Sequence, residues 1–328
     1  MEHNPHSPVG GIDYPRTVQE FNDWFSSEAA CAVYLQRLRW PNGFRCPACS
    51  AGRAWTTARG ALQCTACQRQ TSLVAGTIFE GTRKPLRFWF EAMWFVTNQK
   101  SGGSALGLQR ILGLGSYQTA WAWLHKLRRA LVRPGRERLS GRVEVDETYL
   151  GGSEGGTRGR LTENKALIVV AAQEDGKGVG RIRMRRVRDA SAASLIPFVA
   201  DSIERGSVVH TDGWLGYEPL EGRGYRHQIT FLRDEKESPS DLLPRVHRVI
   251  SLLKRWLMSA HQGAVSEEHL DYYLDEFTFR FNRRRSRVRG LLFYRLLQQA
   301  VQVGPVPYAR LVGGREDHNQ KWQRERSG

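Results

Sequence analysis

The sequence predicts an α/β core with a mixed sheet and flanking helices, preceded by a small cysteine module and a short helical domain. Three observations support this prediction. Four of the five cysteines form two tight pairs before residue 70. Apolar residues then recur at helical spacing up to about residue 132. Beyond Pro134 three strand-like segments, a helix and another strand follow, which is the order of a sheet covered by helices.

Composition predicts a basic protein with a polyanionic partner. The 328 residues suffice for two or three domains, and 49 Lys and Arg against 33 Asp and Glu give a formal charge of +16. Nucleic acid is the first candidate and an anionic membrane the second; the alternative is a generically basic soluble protein. No apolar run reaches the length of a membrane span (about 18 residues), and the N-terminus has no signal pattern. We therefore expect a cytoplasmic, nucleoid-associated protein without a membrane partner.

Changes in pattern divide the chain into five predicted segments. These are an N-terminal tail and helix (1–39), the cysteine module (40–75), a helical region (85–132), the sheet-containing domain (140–290) and a C-terminal basic tail (291–328). Glycine-rich residues 151–159 and polar residues 234–240 are predicted loops.

The cysteine module predicts a structural zinc site. The pairs Cys46/Cys49 and Cys64/Cys67 are separated by 14 residues, which is room for a β-hairpin that brings two zinc knuckles together. Four thiolates leave no open position on Zn²⁺, so the metal is predicted to hold the fold only. Whether the surface of this zinc ribbon also contacts DNA through its arginines stays open. Cys31 is predicted to be a buried, inert thiol.

The helical region resembles a helix-turn-helix. Ser104 is a predicted cap of one helix, Gly113–Gly115 is the break, and Ser116 is the predicted cap of the next helix. In that interpretation the early polar residues 117–119 face a major groove, and the basic residues farther along the helix lie on the DNA backbone, namely Lys126, Arg128 and Arg129. A helical hairpin with a solvated basic face fits the same pattern.

Two aspartates are the candidate catalytic groups. Alternation along 143–149 predicts a strand with Glu144, Asp146 and Thr148 on one face. An apolar strand at 207–211 delivers Asp212 at its C-terminal end, where ligand-binding groups collect in α/β sheets. Carboxylates on neighbouring strands hold two Mg²⁺ or Mn²⁺ ions about 4 Å apart for in-line phosphoryl transfer. The alternative is a solvated strand end and a turn residue. The element order fits a ribonuclease-H-like core.

Several stretches together resemble the bacterial insertion-sequence transposases that join a zinc ribbon to a DDE-type, ISXO2-like catalytic domain. These stretches are Tyr34–Cys49, Thr71–Phe79, Val145–Gly152, His210–Tyr217 and Tyr273–Arg284. The resemblance implies an enzyme that binds terminal inverted repeats and catalyses metal-dependent strand cleavage and transfer. It also implies that Asp146 and Asp212 are the first two catalytic acids.

The third catalytic position departs from the family pattern. Relatives have Glu or Asn in the helix that corresponds to 246–256, and this chain has no acid there. His247 follows Asp212 after 34 intervening residues, a separation that resembles the one between the second and third acids of DDE enzymes, so we predict it as the third active-site group. Lys254 shares its helix face and is a predicted DNA-phosphate contact. The alternative is that His247 is a surface histidine without a catalytic role. In that case the third acid would come from the next helix, where the fallback acids are Glu267, Glu268 and Glu276.

A cluster of arginines follows the catalytic segment, and Arg283 and Arg284 in it are predicted to contact the backbone of double-stranded DNA. Because two element ends are handled together, we expect a homo-oligomer on DNA. Three rival functions remain at this point: a DNA-binding regulator without catalysis, a structure-specific nuclease, and a degenerate, inactive transposase copy.

Overall fold

The computed structural model describes residues 8–132, 135–151, 165–231, 242–261 and 265–312. They fall into two compact units, one formed by 8–132 with 286–312 and the other by residues between 135 and 285. The two predicted loops lie outside the described residues, apart from Gly151. Within the described part, no helix is both long and apolar enough to cross a membrane.

The first unit combines helices with a three-stranded antiparallel sheet. The helices are α1 (Val18–Trp24), α2 (Glu28–Arg39), α3 (Leu86–Asn98), α4 (Ala105–Leu112), α5 (Tyr117–Ala130), α9 (Arg289–Ala300) and α10 (Tyr308–Val312), and the strands are β1 (Ala54–Thr56), β2 (Leu62–Cys64) and β3 (Gln70–Thr71). Ser104 and Ser116 cap α4 and α5 as predicted, accepting hydrogen bonds from the backbone of the first turn.

Helix α9 lies in the segment for which the sequence predicted a basic tail, and the structure departs from that prediction. Its buried face includes Leu292, Leu296 and Leu297, and Phe293 packs at 5.8 Å from Phe25 between ring centroids. Residues 289–300 form a helix because this apolar stripe completes the core of the first unit. The remainder of the predicted tail, 313–328, lies outside the described residues.

The second unit is a mixed five-stranded sheet with helices. Its strands are β4 (Arg142–Leu150), β5 (Ala166–Asp175), β6 (Gly178–Val187), β7 (Val208–Thr211) and β8 (Arg226–Ile229), and its helices are α6 (Ala192–Ser202), α7 (Pro244–His261) and α8 (Leu270–Asn282). The strand order is β6-β5-β4-β7-β8. Strands β4, β5 and β6 are antiparallel, whereas β7 runs parallel to β4 and β8 parallel to β7. The predicted mixed α/β architecture is confirmed.

Alternation along the strands separates two cores. In β5, Ile168 and Val170 face the core formed with α7 and α8, and Val169 faces the core formed with α6. In β4, Val143 and Val145 also face the α6 core. Because successive side chains point to opposite faces, the even-numbered residues of β4 are directed to the other face, which α7 covers.

Candidate active site and metal site

The four paired cysteines come together as a metal site. The Sγ atoms of Cys46 and Cys67 are 3.6 Å apart, as are those of Cys49 and Cys64, and all four lie within 4.8 Å of one another. A tetrahedral zinc ion with bonds of about 2.3 Å needs sulfur separations of about 3.8 Å, so the set fits Zn²⁺. Backbone hydrogen bonds from Ala48 and Cys49 lower the pKa of Cys46 to about 6, which favours the thiolate that binds metal.

Asp146 lies in β4, and Asp212 directly follows β7, the strand that runs parallel to β4. The register of β4 and β7 pairs Val143 with Val209 and Glu144 with His210, a constant offset of 66 residues. Asp146 and Asp212 differ by the same 66, so extending the register two residues beyond the last pair, Glu144 and His210, would bring them to matching positions. Side chains at matching positions of adjacent parallel strands project to the same face, and their strands lie about 4.8 Å apart.

The two aspartates differ in environment. The Asp146 side chain is 15% exposed and stands on a strand interior, where its backbone is held by β5. Asp212 is exposed and follows the end of β7. Its Oδ1 accepts a hydrogen bond of 3.0 Å from the backbone of Trp214, which holds the turn that Gly213 makes at φ +84°. One carboxylate is therefore fixed by the sheet and the other by a turn.

His247 comes to the same place from α7. Its Nε2 lies 3.5 Å from Oδ2 of Asp146. Burial lowers the pKa of His247, against the opposing effect of the Glu144 and Asp212 carboxylates. The imidazole is therefore neutral near pH 7 and keeps a lone pair for a metal ion or a proton. Lys254, two turns farther along α7, is exposed.

Glu144 fixes the start of α7 on β4, a contact for which the sequence had given no role. Its carboxylate is 2% exposed, and Oε2 accepts hydrogen bonds from the backbones of Arg245 (2.7 Å) and Val246 (2.9 Å). Oε1 accepts from the Arg245 guanidinium at 2.9 Å. Glu144 stands two residues before Asp146, and Arg245 stands two residues before His247, so this contact sets the helix against the strand beside the candidate site. The only sequence signal was an acid on the same strand face as Asp146.

Arg245 extends this contact to the next two strands. Its guanidinium donates to Oε1 of Glu174 at 2.7 Å and to the backbone carbonyls of Gly176 and Gly178 at 2.9 and 3.1 Å. We call the Glu144, Arg245 and Glu174 side chains the α7 clamp. A planar guanidinium suits such a site because its donors point in several fixed directions.

A second hydrogen bond lies on the opposite face of β4. The Tyr217 hydroxyl donates to Oε2 of Glu147 at 2.9 Å, and Tyr217 is fully buried. Burial, followed by the Glu147 charge, raises the pKa of Tyr217 well above its usual range. Tyr217 therefore stays protonated and donates, which anchors the turn after Asp212 to the strand of Asp146.

The fallback acids have other environments. Glu276 is 2% exposed, and Oε1 accepts two hydrogen bonds from Arg280 on its own helix, at 2.7 and 2.9 Å. Glu268 is exposed, and the side chain of Glu267 lies outside the described part of the chain. Among described residues, the cysteine set is the one group of three or more Cys, His, Asp or Glu side chains whose ligand atoms all lie within 4.8 Å.

The arginines predicted to contact DNA are in unexpected surroundings. Arg128 and Arg129 are 3% and 9% exposed, so they do not present the exposed basic surface that the sequence predicted. Arg283 stacks over Phe279 at 4.2 Å, and Arg284 donates to the carbonyls of Gly180 and Val179 in β6. These hydrogen bonds use donors of Arg284 to satisfy backbone carbonyls of β6, which is an edge strand of the sheet.

Comparisons with known proteins agree on one class. A model described as an ISXO2-like transposase domain matches residues 138–282, and one described as a transposase zinc-ribbon domain matches residues 26–70. An uncharacterized protein in transposable element ISH50 of Halobacterium salinarum is 31% identical over 280 residues, which cover 78% of this chain and 91% of that protein.

A weaker likeness exists to a solved structure, the cryo-EM structure of a simian T-cell lymphotropic virus intasome in complex with PP2A regulatory subunit B56 gamma. The identity is 14% and the TM-score 0.28. The match covers 51% of this chain and 63% of that chain, less than two thirds of its length.

Proposed function

Because the chain belongs to the family of transposases that join a zinc ribbon to an ISXO2-like domain, we propose that it is the transposase of an insertion sequence. Its substrate is the double-stranded DNA at the two ends of that element. The reaction is hydrolysis of one strand at each end, followed by attack of the released 3′-hydroxyl on target DNA. The β4–β7 register, which when extended by two residues matches Asp146 with Asp212, is the observation that carries this proposal.

The sheet topology supports a ribonuclease-H-like core. Three antiparallel strands are followed, after a helix, by a strand parallel to the first, in the order β6-β5-β4-β7-β8. In this arrangement β7 pairs with β4 up to Glu144, Asp146 lies two residues farther along β4, and Asp212 directly follows β7.

Asp146 and Asp212 are the proposed ligands of the catalytic metal, with His247 beside them. Carboxylate oxygens suit Mg²⁺ or Mn²⁺, which, when bound, polarise the scissile phosphate and activate the attacking hydroxyl. The Asp146 and Asp212 carboxylates would hold the metal ion at this position. His247, neutral near pH 7, has one unprotonated ring nitrogen that accepts a hydrogen bond or a proton, and exposed Lys254 contacts a DNA phosphate.

DNA binding is assigned to the first unit and to exposed basic residues. The start of α5 exposes Tyr117, at 49%, and Gln118, which supports its role as a helix that enters the major groove. Arg128 and Arg129 are not part of this proposal because they are buried. Two copies of the chain, one at each element end, form the proposed active assembly.

Strand cleavage by the purified chain tests this function. The substrates are a duplex that carries the inverted repeat flanking the gene and an unrelated duplex of equal length, each with Mg²⁺ or Mn²⁺. Asp146→Asn and Asp212→Asn are expected to abolish nicking and joining, and Glu204→Gln, an exposed carboxylate of the same unit, is the matched control. Nicking that survives both aspartate variants would refute the proposal.

The same assay separates the rival functions. Specific binding without nicking by the wild type would indicate a regulator or an inactive copy. Nicking without joining, on either duplex alike, would indicate a structure-specific nuclease. The His247→Ala variant tests the third position, since loss of nicking with DNA binding retained is the expected result.

A further inference from the structure

One face of the small sheet in the first unit is exposed and carries a row of large side chains. The register pairs Trp55 of β1 with Gln63 of β2, and Gln63 with Gln70 of β3. Paired residues of antiparallel strands share a face, so these three form one row, which we call the ribbon face. The opposite face holds buried Leu62, Cys64 and Thr71. The sheet thus has one side on the metal site and one in solvent.

The ribbon face is exposed although it contains tryptophan. Trp55 is 51% exposed, and leaving so much of an indole in water forgoes the stabilisation that burial gives a large aromatic side chain. Trp40, by contrast, packs against Phe44 at 5.3 Å between ring centroids. An exposed tryptophan on the open face of a sheet is typical of a contact surface.

The glutamines of the ribbon face are held in a fixed orientation. Nε2 of Gln70 donates to Oε1 of Gln63 at 3.1 Å, Nε2 of Gln63 donates to Oε1 of Gln68 at 2.7 Å, and Nε2 of Gln68 donates to the Thr65 carbonyl at 3.2 Å. Each amide nitrogen carries two hydrogens, so each still has one for another acceptor. This order reduces the entropy lost when the amides bind a partner.

The charge around the ribbon face is of one sign. Residues 29–79 contain no Asp or Glu. The ribbon carries four exposed arginines, Arg45, Arg53, Arg59 and Arg69. Arg53 lies two residues before Trp55, and Arg69 directly precedes Gln70. A second copy of this face would be repelled, whereas a polyanion would be attracted.

We propose that the ribbon face enters the major groove of the element's terminal DNA, where Gln63 and Gln70 contact base edges, Trp55 packs against them and the arginines contact phosphates. Glutamine pairs with the N6 and N7 positions of adenine, and a row across three strands spans about 10 Å against a groove width of about 12 Å. The assignment to element ends rests on the proposed function. Duplex RNA is disfavoured because its deep, narrow major groove does not admit side chains.

The test selects sequences from a pool of DNA duplexes with a randomised central segment, using the full chain. The variants are Gln63→Ala/Gln70→Ala, Trp55→Ala and, as matched control, Thr56→Ala, which is exposed on the other face of β1. The zinc-to-protein ratio of each variant verifies that the ribbon is folded. Neither cleavage nor metal-dependent chemistry enters this measurement.

The wild type and Thr56→Ala are expected to select the same motif. The double glutamine variant is expected to lose the preference for adenine at the one or two adjacent positions that the glutamines contact. Its binding to the wild-type motif should weaken about 10-fold or more. Trp55→Ala is expected to weaken the preference at the same positions of the motif. Arg53→Ala should lower affinity for every sequence alike and reduce the salt dependence of binding.

Two results would overturn the ribbon face as a base-contacting surface. One is an unchanged motif for the double variant with its zinc intact. The other is a wild-type chain that selects no motif, or that binds duplex RNA of equal length as tightly as DNA. Failure of the proposed function is distinguishable, because a chain that selects a motif through these residues but never nicks DNA would retain the ribbon face and lose the transposase activity.

Discussion

Replacing Glu144 by alanine is expected to destabilise the second unit strongly and to misplace the start of α7. The carboxylate is 2% exposed and accepts two backbone hydrogen bonds and one from the Arg245 guanidinium. The substitution leaves two amides in the first turn of the helix without their acceptor. It also removes one of the two carboxylates that face Arg245.

The magnitude follows from these contacts. Hydrogen bonds to a charged group contribute about 1.5–3 kcal/mol each, and removing one partner of a buried ion pair costs about 3–5 kcal/mol. The remaining bonds of Arg245 to Glu174 and two carbonyls limit the loss. We therefore expect Glu144→Ala to lower the free energy of unfolding by about 3–5 kcal/mol, or Tm by about 8–16 °C for a unit of this size. Glu144→Gln, which keeps one acceptor oxygen, should cost less.

Urea unfolding monitored by circular dichroism measures the free energy of unfolding, and calorimetry measures the Tm. Glu204→Ala removes an exposed carboxylate from the same unit and should change stability by less than about 0.5 kcal/mol. The nicking activity of Glu144→Gln, measured at a temperature where the variant is folded, should fall. The reason is that the weakened contact between β4 and the start of α7 no longer fixes His247 relative to Asp146. If Glu144→Ala were as stable as Glu204→Ala, the α7 clamp would not stabilise the unit and the reasoning would fail.

Three further predictions concern other parts of the molecule. Burial lowers the pKa of His227, whose Nε2 lies 2.9 Å from Thr211, so its stabilising contribution is present above about pH 6.5 and is lost as the pH falls. Urea unfolding at several pH values should show this decline, and His227→Gln should reduce its slope, with the remainder due to His210 and His247, whose pKa values burial also lowers; an unchanged slope would contradict the prediction. Removing zinc with a chelator should open the ribbon to limited proteolysis and leave the Tm of the second unit unaltered, whereas unchanged proteolysis would argue against a structural metal. A Cβ on Gly290 would lie 1.7 Å from the Pro15 carbonyl oxygen, so Gly290→Ala should destabilise the first unit by at least about 1–3 kcal/mol in thermal unfolding, whereas Gly304→Ala, with nothing within 4 Å, should be neutral.

Local patterns carried much of the prediction. The spacing of the cysteine pairs predicted the metal site because both pairs lie on one short segment, Cys46–Cys67, that the β1–β2 hairpin folds back on itself. The predicted caps Ser104 and Ser116 were confirmed because capping involves only the next three residues. Alternation in β4 correctly assigned Glu144 and Asp146 to one face. The apolar stripe of α9 went unrecognised, since the arginines before it suggested a tail.

The sequence by itself determined the zinc ligands, most of the helices and strands, and the identity of the two aspartates as candidates, because these follow from neighbours in the chain. The tertiary structure alone decided that β4 and β7 pair with an offset of 66 residues, that Glu144 holds α7, and that Arg128 and Arg129 are buried. Those outcomes depend on contacts between distant segments. Their free energy is a sum over the packed unit, and no local pattern of residues encodes it.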